Sequence, residues 1–444
     1  MALTIVEQPY DWTLRGQKLV FRVSSDQFNQ EGFRYGVKVK NMTTLKEYEF
    51  LVDTSPSTTD LIFDLSSVIK MYNDDSTIDM HKTPTQTAWE EPQGGSWNKY
   101  RVYFSEWWLV GGVMTIADEL NPSGEEYAFM NGYYQPSDGF KPDPNSADVL
   151  DIGTALTMES SFFRPYSDRF NDTHTWYNNQ HTIPENYDTI TMIPVYNTDY
   201  GVVFVPRSAS LGKTIASTQI RIFNGSTILG QQGTNIASTA NIVGLGVYPM
   251  NLNDSSLPAY MKPSSHAVWT HYEVSFKTAT GGGASDGCLT HFFYNAELFG
   301  QLDCRYDRVR LAWVNSRSGW DYFNFIKKSE KSNDFERKQY KRLLSKYDGT
   351  FDSWQRQLTD RQNIVMQTLT ITSDWLQENE FLFLRSLFAS NQVEMIDTTG
   401  ITSGTLGNRT PISIVDTSYL ERKERNGKKY NLTIKIKYSQ DYWT

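Results

Sequence analysis

At 444 residues the chain is too long for one ordinary hydrophobic core, and its length suggests two to four domains. A hydrophobic fraction of 39%, with 21% charged residues and 14% aromatics, describes a globular chain and excludes a disordered one. Its 42 basic and 51 acidic residues give a net charge of −9, which lacks the basic footprint of a nucleic-acid binder and suits a surface that DNA slides past without sticking.

The opening, MALTIVEQPYDW, has no basic segment followed by an apolar stretch, so no signal peptide is expected there. From Leu19 to Asp64 short apolar or alternating runs, LVFRV, FRYGVKVK, EYEFLV and LIFDL, are separated by polar turns, the spacing of an antiparallel sandwich. SSVIKMYN, from Ser66 to Asn73, suits one short helix. After a polar stretch, KYRVYFSEWWLVGGVMTI reads as a further strand-like segment closing a first β-sandwich domain over residues 1–120.

Residues 121–280 form a loop-rich middle β domain, in which TITMIPVY, YGVVFV, TQIRIF and NIVGLGVYP are the clearest strands. Asn224-Gly225 fits a hairpin turn. The run from Gly281 to Gly287 is a flexible connector or hairpin tip leading into a C-terminal β domain, 281–444, with two helices. In that domain Val309, Leu311 and Trp313 alternate with Arg308, Arg310 and Ala312, as in a half-buried strand. The charge-dense SEKSNDFERKQYKRLLSKY, Ser329 to Tyr347, reads as a solvated helix. Ser373 is placed to cap a second helix, DWLQENEFLFLRSLFAS. The closing YNLTIKIKY puts Tyr430, Leu432, Ile434, Ile436 and Tyr438 on one face of a strand and Asn431, Thr433, Lys435 and Lys437 on the other. The fold expected is therefore mainly β: two or three antiparallel sandwich or barrel-like domains with a few short helices. No run approaches the roughly 18 apolar residues of a membrane span.

Chemistry is harder to find. The six histidines, His81, His174, His181, His266, His271 and His291, show no zinc spacing; His174 and His181, near Asp168 and Asp172, read as a solvated polar loop. Ser210-Leu211-Gly212-Lys213-Thr214 ends like a phosphate-binding loop, but the required upstream glycine is Arg207. Gly244-Leu245-Gly246 lacks the third glycine of a dinucleotide site. No nucleophile-elbow or Cys-centred motif occurs. Cys288 and Cys304 are expected as reduced thiols, with a bridge between them left open by spacing alone. Glu106 beside Trp107 and Trp108 has the make-up of a sugar cleft, which keeps a glycan hydrolase or a carbohydrate-binding adhesin as alternatives. No catalytic, cofactor-binding or metal-binding residue is assigned. The 26 Tyr, 24 Phe and 12 Trp suit both β cores and interface anchors.

One stretch carries a resemblance. RLAWVNSRSGWDYFNF, from Arg310 to Phe325, resembles a block in structural proteins of crAss-like and other Bacteroidota-infecting tailed phages. The opening Gln8-Pro9-Tyr10-Asp11-Trp12 is similar to theirs, as is the ending from Thr370 to Trp375 and through Pro411 to Ile414. The resemblance implies a virion component of the tail or neck, a hub or ring protein of six or twelve copies, assembled in the host cytoplasm. Its partners would be itself, neighbouring tail proteins and passing DNA without tight binding, with no membrane. In the block itself, strand RLAWVN is expected to turn at Ser316 to Gly319 and return as WDYFNF, with Trp313, Trp320, Tyr322 and Phe325 packed across strands. Whether that hairpin serves as core or as interface is open from sequence.

Overall fold

The computed structural model describes residues 3–9, 12–14, 18–42, 44–54, 59–72, 97–120, 126–130, 193–206, 217–235, 242–254, 258–277, 289–298, 306–314, 320–341, 358–377, 384–390, 392–397, 409–416 and 429–439. Cys288, Cys304, His174, His181, Gly319, the Ser210–Thr214 stretch and the Gly281–Gly287 connector lie outside them.

The fold is mainly β, as expected. The chain opens with β1 (Thr4–Glu7), β2 (Trp12–Leu14), β3 (Val20–Ser24), β4 (Arg34–Asn41), β5 (Glu47–Val52), β6 (Leu61–Asp64), a helix over Ser66–Tyr72, β7 (Trp97–Val110), β8 (Val113–Leu120) and β9 (Tyr127–Met130). β1, β3 and β6 make a three-stranded sheet, and a six-stranded sheet runs β2-β9-β7-β4-β5 with β8 on β7. Alternation decides the faces. Tyr35, Val37 and Val39 of β4 and Val102 and Phe104 of β7 point inward with Phe21 and Val23 of β3 into one buried cluster. Phe21 lies 5.5 Å from Phe104 and edge-on to Tyr127 at 5.2 Å, so the two sheets pack face to face. Each such ring removed from water contributes about 1.5–3 kcal/mol. The Ser66–Tyr72 helix begins where Asp64 Oδ1 accepts the amides of Ser66 and Leu19, at 3.0 and 3.1 Å.

The segment read as one strand from Lys99 to Ile116 is instead a hairpin. Gly111 and Gly112, at φ +60° and +82°, make the two-residue turn that matches strand twist, and β8 folds back along β7.

The middle of the chain supplies β10 (Ile193–Val195), β11 (Val202–Pro206), β12 (Ser217–Asn224), β13 (Thr227–Asn235), β14 (Ile242–Gly246), a helix over Pro249–Asp254, two single 3-10 turns at Ala259–Met261 and Pro263–Ser265, β15 (His271–Lys277) and β16 (Leu289–Asn295). A five-stranded sheet runs β10-β16-β15-β12-β13, while β11 and β14 pair separately. The expected hairpin turn forms here: Asn224 pairs with Thr227, so Gly225 and Ser226 are its two central residues, with Gly225 at φ +57°. Ile220, Ile222, Tyr272, Val274 and Phe293 are buried along this sheet, and Tyr272 stacks on Phe293 at 4.8 Å while donating to the Val247 carbonyl at 2.8 Å. Most pairings are antiparallel, but β2–β9 and β10–β16 are parallel.

The last sheet holds β17 (Val309–Val314), β18 (Trp320–Phe325), β19 (Ser329–Lys341), β20 (Leu358–Gln377), β21 (Val393–Ile396), β22 (Arg409–Ile414) and β23 (Lys429–Tyr438), in the order β18-β17-β21-β22-β23-β20-β19, with one helix over Arg385–Ala389. Leu311, Trp313, Phe323, Phe325, Leu369, Ile371, Val393, Ile412, Leu432, Ile434 and Ile436 form its core with Leu384 and Leu387. By its contacts the chain divides into Met1–Leu298 with Val314–Asp321, and Phe299–Trp313 with Tyr322–Thr444.

Both helices expected in this region are corrected. Ser329–Lys341 is a strand, because its charges mark solvation rather than helical period, and β20 offers it a ladder partner along its whole length. Ser373 caps nothing: β20 continues to Gln377, where Trp375 and Leu376 pair with Asn431 and Tyr430 of β23. Among the described residues of the second segment, Arg385–Ala389 are helical. No helix among the described residues is long and apolar enough to cross a membrane.

Candidate assembly surfaces

The block from Arg310 to Phe325 is interior. Trp313, Trp320, Tyr322, Phe323 and Phe325 are all buried, and every residue of β18 is buried on both faces of its sheet. Leu311 and Trp313 point into the core with Phe323 and Phe325. Trp313 Nε1 donates to Ser386 Oγ at 2.9 Å, which fixes the short helix on the sheet. On the opposite face the Arg310 guanidinium lies 5.0 Å from the Tyr322 ring centre, an attraction worth more when desolvated, as Arg310 is. β17 and β18 are neighbours in the sheet, as the sequence suggested, and the block serves as core.

Glu106, the carboxylate singled out for a sugar cleft, is also buried. It sits opposite Tyr35 on β4 and Asp118 on β8. Burial, then the negative charge of Asp60 and Glu106, pushes the Tyr35 phenol up to about 12, and that hydroxyl donates to the Thr59 carbonyl at 3.1 Å. Trp107 Nε1 donates to Ser105 Oγ at 2.9 Å, and Trp108 stacks on Phe33. Glu106 therefore presents no carboxylate to a surface ligand, and the two half-buried indoles are engaged with their own sheet. His271 is buried beside Phe223. No group of three metal-ligating side chains occurs among the described residues.

Among the described residues, two hairpins carry several exposed apolar side chains each. The first is the tip of β7 and β8, where Val110, Val113 and Ile116 are exposed around the Gly111-Gly112 turn. No charged residue occurs from Trp107 to Ile116. The second is longer. β20 pairs with β23 only from Thr368 to Gln377, whereas β19 accompanies β20 out to Leu358, so residues 333–341 and 358–367 form a two-stranded ribbon beyond the sheet. Every residue of β19 after Ser329 is exposed.

Opposite pairs on this ribbon share a face, and apolar residues occur on both faces: Phe335 and Leu358 on one, Tyr340 and Met366 on the other, between 42% and 63% exposed. Gln339 Nε2 donates to Asp360 Oδ1 across it at 2.6 Å, beside a bulge that adds Arg361 to β20. Charge density alone reads this segment as a helix. The signal that could have found it is the Thr-Leu-Thr-Ile-Thr alternation at 368–372, carried back toward Leu358. Neither a family model nor a curated protein matches the chain.

Proposed function

We propose that this chain is a structural subunit of a phage virion, set in the tail or neck as a hub or ring around the DNA conduit and joined to copies of itself and to neighbouring tail proteins. The observation that carries the reading is the exposed β19–β20 ribbon. An isolated two-stranded hairpin is marginal in water, and a ribbon with apolar side chains on both faces gains stability when another subunit covers it. The choice of a phage tail rests on the resemblance of the Arg310–Phe325 block and of both chain ends. A net charge of −9 suits a wall past which DNA moves without being held.

Mass spectrometry and cryo-electron microscopy of purified particles test this reading. The expected result is this protein in the tail or neck, in a closed ring. Its absence from particles, or its confinement to receptor-binding fibres off the axis, would overturn it.

A further inference from the structure

The far part of the described ribbon is positive, while the rest of the chain sums to a negative charge. In residues 337–341 and 358–361, Arg337, Lys338, Lys341 and Arg361 are exposed and the one acidic residue is Asp360, a surplus of three positive charges. Taking these from the chain's 42 basic and 51 acidic residues leaves 38 basic and 50 acidic, a deficit of twelve. We infer that the β19–β20 ribbon is an arm whose basic end docks on the acidic body of a second copy of this chain.

Two such ends repel each other, so arm against arm is disfavoured, and arm against body brings unlike charges together. The contact is therefore between two different surfaces, and a contact of that kind can repeat head to tail, closing as a ring where the rotation from one copy to the next allows it. Nine residues, Asn333 to Lys341, at about 3.4 Å each give a reach of about 30 Å. Exposed Phe335 and Leu358 on one face, and Tyr340 and Met366 on the other, supply the apolar contacts that charge alone does not. A nucleic acid is the less fitting occupant: Glu336 and Asp360 stand among the cations, and a phosphate backbone long enough to meet the arm also meets a chain that is negative as a whole. This inference rests on the assembly reading above and specifies its contact.

The test uses the full chain. Sedimentation is measured at low and high ionic strength for the parent and for the Arg337→Glu/Lys338→Glu/Arg361→Glu variant, whose fold is checked by its melting curve. All three side chains are exposed, so the melt should not move. The parent should self-associate at low salt and weaken as salt rises, with association at least about tenfold weaker in the variant, the loss of roughly 1.4 kcal/mol of pairing. Carbodiimide coupling of mixed isotope-labelled and unlabelled copies should join Lys338 or Lys341 to a carboxylate of the other copy. Unchanged association in the variant, or coupling confined to single copies, overturns the arm. So does a duplex-DNA gel shift that the variant loses while its self-association persists. If the protein is found in tail rings whose arms touch no second copy, the arm fails and the assembly reading stands; absence from particles fails the assembly reading on its own.

Discussion

The imidazole of His271 lies flat against the Phe223 ring, centroids 4.5 Å apart and planes within 2°. Its Nδ1 is 3.0 Å from Thr270 Oγ1, and burial pushes its pKa down to about 4. The unfolded chain, at the ordinary value of 6.5, takes up the proton first. Between those values the unfolded state holds more protons, so this contribution is complete above pH 6.5 and is lost as pH falls toward 4, on the order of 3 kcal/mol in all. Denaturant unfolding from pH 7 to 4 should show a steeper decline in the parent than in His271→Gln. Parallel curves would mean that the ring is protonated without being expelled.

Arg221 and Glu273 are cross-strand neighbours on β12 and β15, 3.1 Å apart with 14% of each side chain exposed. Burial raises the carboxyl and Arg221 pulls it back down. Arg221→Met strands that carboxylate in the interior and should cost about 3 kcal/mol, whereas Arg221→Met/Glu273→Leu should recover most of the loss. Equal losses in urea melts of the two variants would show that the charges are solvated independently.

Gly230, inside β13, and Gly225, in the turn that leads into it, should respond differently to substitution. A Cβ at Gly230 collides with the Tyr260 carbonyl oxygen, a backbone atom that moves only with its 3-10 turn, so Gly230→Ala should cost about 1–3 kcal/mol. Gly225 has open space around it but φ of +57°, where asparagine is among the least strained of the residues with a side chain, so Gly225→Asn should lower the melting temperature less than Gly230→Ala does. A melt that drops for Gly225→Asn and holds for Gly230→Ala would reverse the assignment of turn and contact.

Trp313 and Phe335 separate core from arm. Trp313→Ala removes a fully buried ring and its bond to Ser386, and should lower stability by about 3–5 kcal/mol. Phe335→Ser, at a ring 63% exposed, should change it by less than about 0.5 kcal/mol. Comparable destabilisation by both would place Phe335 in a packed interior.

Local signals served well where burial alternates along one strand. β4 and β23 were legible because Tyr35, Val37 and Val39, and Leu432, Ile434 and Ile436, repeat at period two and face one core. The Ser66–Tyr72 helix was legible too. Sheet order was not, because it depends on partners distant in sequence: the register that sets Trp12 beside Ala128 leaves no mark near either residue. The strand Ser329–Lys341 is not legible from its own residues, because a solvated ribbon and a solvated helix share a composition and the distinction lies in its partner β20. The candidate surface was hidden for the same reason. The aromatic block has the composition of an interface, yet its rings are those the fold removes from solvent.

Burial on both faces of β18 has a consequence for what a shared sequence can mean. From Trp320 to Phe325 no position is left to vary with a binding partner, since each side chain already answers to a neighbour within its own chain. A second protein carrying this block would inherit the same local architecture without inheriting any docking site. The arm, answerable to no interior, is free to differ from one such protein to the next, and partner choice would diverge there while the block held its spelling.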